Sequence, residues 1–401
     1  MSIIIEPLSH TTRNDALERR CVVIKDGKKT GQQRHELWYQ FPQEITLPDD
    51  DDCDAYLISN MLIAMKHNQS VHVKGSVSGT LLSNLVEYQS IWARWYPKIY
   101  SQVDVVCDHI RETEKKLPGA VCAFSGGVDA SFSVWRHSQD KCSYRSQDIK
   151  SCAIVHGFDI PLDDERAFAN AADAAEQTLR DLDLPLVRIK TNYRSFLRLQ
   201  KLGGFGWRHT FLCALVATLN QLKSYAGTCV VGSAQPYDQL VFPHGSSPVS
   251  DHLLSSGDFG VVHDGASHSR LEKVEELTEW EAGVKNLRVC WEGELKDRNC
   301  GRCEKCVRTK LNFIAKGHEI PGCFPASDIL EDMRKIVIKP EPIRTEWRMV
   351  YEQAKANKVN PKWLRQIRAV INRRPLAERL LPEDSLRGKF FKRLMKKSRV
   401  S

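Results

Sequence analysis

Short apolar runs and helix-period stretches alternate along most of the chain. Near the N-terminus, Glu36-Leu37-Trp38-Tyr39-Gln40-Phe41 is rich in aromatic residues and predicts a strand. An acidic run, Asp49 to Asp52 with Asp54, precedes Ala55-Tyr56-Leu57-Ile58 and Met61-Leu62-Ile63-Ala64-Met65. These apolar positions recur at helical spacing, and acids suit the positive end of a helix. The acidic run therefore reads as a solvated helix entrance rather than a metal site. Val71-His72-Val73 predicts a short strand. Ser78 then caps a helix from Thr80 to Trp95, whose Leu81, Leu85, Tyr88, Trp92 and Trp95 form one core-facing stripe.

From Gly119 strands and helices alternate. Ala120 to Phe124, Ser151 to Val155, Leu186 to Ile189 and Cys229 to Gly232 are strand candidates. Arg166 to Leu182 and Phe211 to Leu222 are helix candidates. Such alternation predicts a parallel sheet covered on both faces, with ligands beyond the carboxyl ends of its strands. After about Ala326 the pattern is helical, with Pro340-Glu341-Pro342 expected to break it. Three segments follow: a small α+β domain over 1–115, an α/β domain over 116–325 and a helical region over 326–401.

Composition adds two constraints. With 42% hydrophobic and 27% charged residues in 401, wholesale disorder and a disulfide-stapled miniprotein are excluded. The net charge of +8 is uneven: residues 321–401 hold 20 Lys+Arg against 9 Asp+Glu, so that segment is at +11 and the remainder at −3. The basic character belongs to the tail, which ends in Lys392-Arg393-Leu394-Met395-Lys396-Lys397. No apolar run reaches membrane-spanning length and no secretory signal is read at the start. With 13 cysteines, a reduced, cytoplasmic chain with cysteines in metal-binding or core positions is expected.

The first chemical signal is Phe124-Ser125-Gly126-Gly127-Val128-Asp129-Ala130-Ser131. It follows a strand and opens a helix. Two glycines let the backbone approach an anion, and the first amides of the helix point at it. Ser125 and Ser131 supply hydroxyls for phosphate oxygens, while a carboxylate at Asp129 suits Mg²⁺ or loop orientation. The Walker pattern is absent, since no Lys follows the last glycine. The second signal is Cys290, then Cys300, Cys303 and Cys306, spaced C-x9-C-x2-C-x2-C. Four thiolates make a closed tetrahedral zinc site, with an iron–sulfur cluster as the competing occupant. Gly301 relieves the tight turn, and the remaining cysteines read as small core residues.

The Ser-Gly-Gly-Val-Asp-Ala-Ser string resembles the PP-loop of the N-type ATP pyrophosphatases, which have the adenine nucleotide α-hydrolase-like fold. Their usual string has a hydroxyl residue directly after the Asp. Here Ala130 stands there, and Ser131 takes over part of its role. The loop followed by the cysteine cluster resembles 7-cyano-7-deazaguanine synthases over about residues 118–320. Arg208-His209-Thr210-Phe211-Leu212, Val231-Gly232-Ser233, Arg270-Leu271-Glu272-Lys273-Val274 and Cys300 to Arg308 carry that likeness. The family's Tyr-Pro-Asp-Cys-Arg substrate segment is missing. Pro236-Tyr237-Asp238 and Pro243 to Asp251 stand in its place.

The resemblance implies an α/β fold: a parallel-sheet PP-loop core with a four-cysteine zinc segment at 288–310, an N-terminal α+β domain and a basic helical tail. It implies ATP, Mg²⁺ and structural Zn²⁺. Ser125, Gly126, Gly127, Val128, Asp129 and Ser131 would hold pyrophosphate, Phe158 would lie against adenine and Asp159 would meet ribose or metal. Arg208 and Lys273 would sit near phosphate or carboxylate. Tyr237, His244 and Asp251 are the substrate candidates. The implied reaction adenylates a carboxylate, such as 7-carboxy-7-deazaguanine, and forms an amide or nitrile by attack of ammonia or an amine. Relatives in type IV CBASS anti-phage operons are thought to join a deazaguanine to a protein amine, so a protein partner is expected among the candidates, as is a homodimer. The alternatives are a tRNA thiolase or lysidine-type ligase, using the basic tail on nucleic acid, and a non-enzymatic zinc-ribbon module.

Overall fold

A computed structural model describes residues 2–27, 31–112, 115–202, 206–338 and 341–373. They form two compact units, 1–298 and 299–401. In the first, β1 (Ser2–Arg13), β2 (Ala16–Gly27) and β3 (Gly31–Phe41) make an antiparallel meander. Next come α1 (Asp54–His67), β4 (Ser70–Ser78), α2 (Gly79–Trp95) and β5 (Val105–Arg111). β4 runs parallel to β1, and β5 runs parallel to β4.

The chain continues with β6 (Ala120–Ala123), α3 (Val128–Ser138), β7 (Ile149–His156), α4 (Glu165–Leu179), β8 (Leu186–Thr191), α5 (Tyr193–Leu199) and α6 (Gly206–Asn220). Then follow β9 (Thr228–Gly232), β10 (Gly260–Asp264), α7 (Arg270–Leu277) and α8 (Glu281–Lys285). All these strands join one mostly parallel sheet, ordered β10-β9-β6-β7-β8-β3-β2-β1-β4-β5. The block β10-β9-β6-β7-β8 is wholly parallel. The four strands expected from the runs at 120, 151, 186 and 229 are its middle and one flank. The boundary expected near residue 115 is not a break in the sheet. β3 pairs with β8 through Tyr39–Thr191 and Gln40–Lys190, and one apolar core extends from Ile3 to Val261.

Ser78 caps α2 as expected, its hydroxyl accepting from Leu81 N at 3.2 Å. Helix α6 begins five residues earlier than expected and so takes in Arg208 and His209. The acidic run departs from expectation: Asp52 and Asp54 are buried, not solvated. Lys223 Nζ lies 2.7 Å from each of them and 3.1 Å from Asp258, and Arg111 Nη2 is 2.5 Å from Asp54. The ammonium fills the position that a metal ion would take among those three carboxylates.

The second unit has α9 (Glu304–Ala315), α10 (Ile329–Lys335), α11 (Glu341–Ala356) and α12 (Pro361–Asn372). The helical pattern is interrupted where Pro340-Glu341-Pro342 is expected to break it: α10 ends at Lys335 and α11 starts at Glu341. Pro342 is itself helical. It sits in the first turn of α11, where a missing N–H leaves nothing unsatisfied. Glu304 accepts from Arg308 Nε and from Trp347 Nε1, each at 2.7 Å, which fixes α11 on α9. Pro340 and the basic stretch Lys392 to Lys397 lie outside the described residues. No described helix is long and apolar enough to cross a membrane.

Replacing Lys223 by Met leaves Asp54 buried beside Asp52 and should cost roughly 3–5 kcal/mol of unfolding free energy in urea titration. A second prediction concerns pH. His209 stacks on Tyr96 at 4.6 Å and meets the Tyr100 hydroxyl at 2.8 Å. Burial, then the charge of Arg208, push its imidazole down to about 4. The unfolded chain binds that proton near pH ~6.5. The His209 contribution is therefore complete above that pH and falls away as pH drops toward 4. The urea midpoint should fall on acidification, and by less in His209→Phe.

Candidate functional site

The site begins at β6, the strand where the parallel block changes direction. β7 and β8 are added on one side of it, and β9 and β10 on the other. In open α/β sheets this switch point opens a crevice beyond the carboxyl ends of the strands. Phe124 N donates to Ala153 O at 2.8 Å, so the chain leaves β6 held against β7. Ser125 is then exposed, Gly126 has φ +73° and Gly127 is extended at φ −85°, ψ 163°. Gly126 is required here because a left-handed backbone strains other residues. Gly127 has no side chain to cap α3, so the helix start carries no side-chain cap at the positive end of its dipole. At the end of β9, a Cβ on Gly232 would lie 2.6 Å from Asp129 O. That glycine lets α3 seat directly on the strand.

Cations converge on Asp129. Arg270 Nη2 lies 2.7 Å from Oδ2, and Lys273 Nζ lies 3.2 Å from Oδ1. Lys273 is 1% exposed and also donates to Ser233 O at 2.5 Å. Burial holds its ammonium below the ordinary value, against the pull of Asp129. Helix α7 presents both cations, and a reciprocal cap between Ser269 and Glu272 fixes its start. From the other side, Arg288 N donates to Gly126 O at 2.7 Å, and its guanidinium donates to Ser125 O at 3.1 Å. The structure thus unites Ser125, Gly126, Gly127, Val128, Asp129 and Lys273. Sequence alone does not mark Arg270 and Arg288 as site residues, because each reaches the loop from more than 140 positions away. Ser131 is 1% exposed, so its hydroxyl does not stand on the open face of the loop.

Other candidates lie elsewhere. Arg208 is exposed on α6, and no hydrogen bond or ion pair among the described residues ties it to the loop. Asp251 is fully buried and accepts from Ser247 N, Ser246 Oγ and His263 Nδ1, each at 2.7 Å. It organises the 246–251 turn instead of facing a substrate. His244 is occupied with Ser246 O at 2.7 Å, and Tyr237 is 52% exposed. Asp159 is exposed just past β7. Phe158 faces Trp207 with ring centroids 5.1 Å apart, in a pocket of about 730 Å³ at the ends of β7 and β8.

The four expected cysteine sulfurs, of Cys290, Cys300, Cys303 and Cys306, lie within 4.8 Å of one another. The Cys300 and Cys306 sulfurs are 3.9 Å apart. Tetrahedral zinc with bonds near ~2.3 Å requires roughly 3.8 Å between sulfurs. Backbone amides of Gly293 and Cys303 donate to the Cys290 and Cys300 sulfurs at 3.3 Å. Gly301 has φ +76°, as the tight turn requires. These residues can hold a metal ion such as zinc. A second group, His137, Cys142 and Asp264, is buried. There Gln147 N donates to His137 Nδ1 at 3.1 Å, which leaves the ring proton on Nε2, 3.4 Å from Asp264. That neutral tautomer turns an N–H, not a lone pair, toward Asp264, which does not suit a metal ligand.

No family model matches the chain, and no curated protein or solved structure matches it either.

Elemental analysis of the purified chain should find about one zinc per molecule. Cys303→Ser should release it and lower the thermal midpoint, because metal affinity at such sites contributes to folding.

Proposed function

We propose that the chain adenylates a carboxylate with ATP, releasing pyrophosphate, and passes the acyl group to ammonia or an amine. One observation carries this reading. A Ser-Gly-Gly turn with Ser125 exposed and a helix start without a side-chain cap sit at the switch point of a parallel sheet, with Lys273 and Arg270 gathered on Asp129 beside them. Such a site takes a multiply charged anion. The substrate class comes from the resemblance to 7-cyano-7-deazaguanine synthases.

The chain's own residues divide the work. The Ser125 hydroxyl and the amides of Gly127, Val128 and Asp129 bind the leaving pyrophosphate. Lys273 and Arg270 offset the charge that develops there. The carboxylate oxygen forms a bond to the α-phosphorus as the bond to pyrophosphate breaks. Attack of the amine on the acyl carbon then expels AMP and leaves an amide. Positioning and charge stabilisation suffice, with no covalent enzyme intermediate. Of the two roles expected for Asp129, Mg²⁺ ligand or loop orientation, its ion pairs support the second. Arg270 and Lys273 take its two oxygens, and its role here is to hold both cations at the loop.

The test is AMP release from MgATP in the presence of 7-carboxy-7-deazaguanine and ammonium. Asp129→Ala should lower it about a hundredfold or more, with the fold retained by circular dichroism. Unchanged turnover in that variant would sink the loop assignment.

A further inference from the structure

The pocket at the ends of β7 and β8 lies outside the loop and has its own chemistry. Gly157 forms its floor with φ +100°, where a Cβ would lie 2.1 Å from Thr191 O. Only glycine lets the end of β7 close onto β8 in this way. Phe158 and Trp207 give two aromatic faces tilted by 58°. The Arg194 guanidinium stands 4.8 Å from the Trp207 ring and donates to Phe158 O at 2.9 Å. That bond takes one of the five donors an arginine carries. Arg198 and Lys201 line the same pocket, against Asp163 on the lining and Asp159 near Arg194. The lining is therefore aromatic and net positive.

Two occupants are conceivable for the adenylation site's neighbour: the adenosine of ATP or the acid. Adenosine is uncharged, and the charge of ATP belongs at the loop. Three cations therefore favour an anion with a flat ring. Its carboxylate suits a fork-shaped arginine, and its ring suits the Phe158 and Trp207 faces. The volume of about 730 Å³ is in the range of small-molecule sites. Asp159 connects the two places, because its charge acts both on Arg194 in the pocket and on Arg288 at the loop.

We infer that this pocket binds the acid substrate, a planar heteroaromatic carboxylate, with its ring at Phe158 and Trp207 and its carboxylate on Arg194. The inference rests on the adenylation reading and deepens it. It also takes Phe158 from adenine, where the resemblance puts it, and moves the substrate site away from Tyr237, His244 and Asp251.

The test is calorimetric titration of the full chain with 7-carboxy-7-deazaguanine, the matching neutral carboxamide, ATP and a single-stranded RNA oligonucleotide. The wild type should bind the acid at least about tenfold more tightly than the carboxamide. Arg194→Gln should weaken the acid about tenfold or more and leave ATP unchanged, with partial recovery in Arg194→Lys. Arg198→Gln is the second variant: its side chain is exposed, with one hydrogen bond of 3.3 Å to Ser195, so the fold should survive, and acid binding should weaken in the same direction. Equal acid affinity in wild type and Arg194→Gln would overturn the inference. So would a loss confined to ATP or to the oligonucleotide. If the wild type binds the acid through Arg194 but releases no AMP, adenylation fails and the pocket stands. If the wild type releases AMP and Arg194→Gln keeps its KM for the acid, the pocket assignment fails and adenylation stands.

Discussion

Lys223 sits almost out of water between Asp52, Asp54 and Asp258, with Arg111 completing the group, and the first unit is organised around that contact. Its members come from far apart: the start of α1, the end of β5, the turn after α6 and the turn before β10. Burying these charges is costly unless every one finds a partner. Burial does push the Asp54 carboxyl up, while Lys223 and Arg111 pull against it. The arrangement is satisfied only when the N-terminal strands and the parallel block are docked in this register. Arg19 repeats the logic nearby, with bonds to Gln221 and to the Asp49 and Asp52 carbonyls. The N-terminal segment is thereby part of the same sheet and core as the Ser125-Gly126-Gly127 loop.

With the sheet fixed, the loop has little freedom. β6 lies between β7 and β9, Gly232 lets α3 seat on β9, and Arg288 holds the turn from outside. Asp129 then acts as a clamp for two cations, not as a free carboxylate. The pocket under Phe158 and Trp207 opens at the same edge of the sheet. On the proposed reading, that edge would serve a polyanion at the loop and a flat anion in the pocket, the division of labour an acid-activating enzyme needs.

Much of this is legible in the sequence where the signal is local. The cysteine spacing, the Ser-Gly-Gly turn and the Ser78 cap each depend on neighbours within a few residues. The strands at 120, 151 and 229 are short apolar runs buried on both faces, and the strand at 186 shows the alternation of a strand buried on one face. β1 and β2 are hard to read because their patterns are mixed. β1 buries Ile3 and Ile5 but exposes its second half, and β2 buries Glu18 and Arg19 among its apolar residues. A buried arginine is recognisable only once Gln221 is beside it. The same holds for Asp52 and Asp54, which look like surface acids until Lys223 appears. Asp251 shows the opposite error: its residue type suggests chemistry, but its oxygens are used up in holding a turn. Arg194 and Trp207 form a site only because α5 and α6 meet over the end of β7.

The central claim is that a carboxylate oxygen attacks the α-phosphorus of ATP at this loop. The most direct measurement uses 7-carboxy-7-deazaguanine whose carboxylate oxygens are labelled with the heavy isotope, followed by mass spectrometry of the nucleotide product. The account predicts AMP carrying one heavy oxygen, because the oxygen bonded to phosphorus stays there when the amine expels AMP. AMP without the label, or ADP in its place, would contradict it.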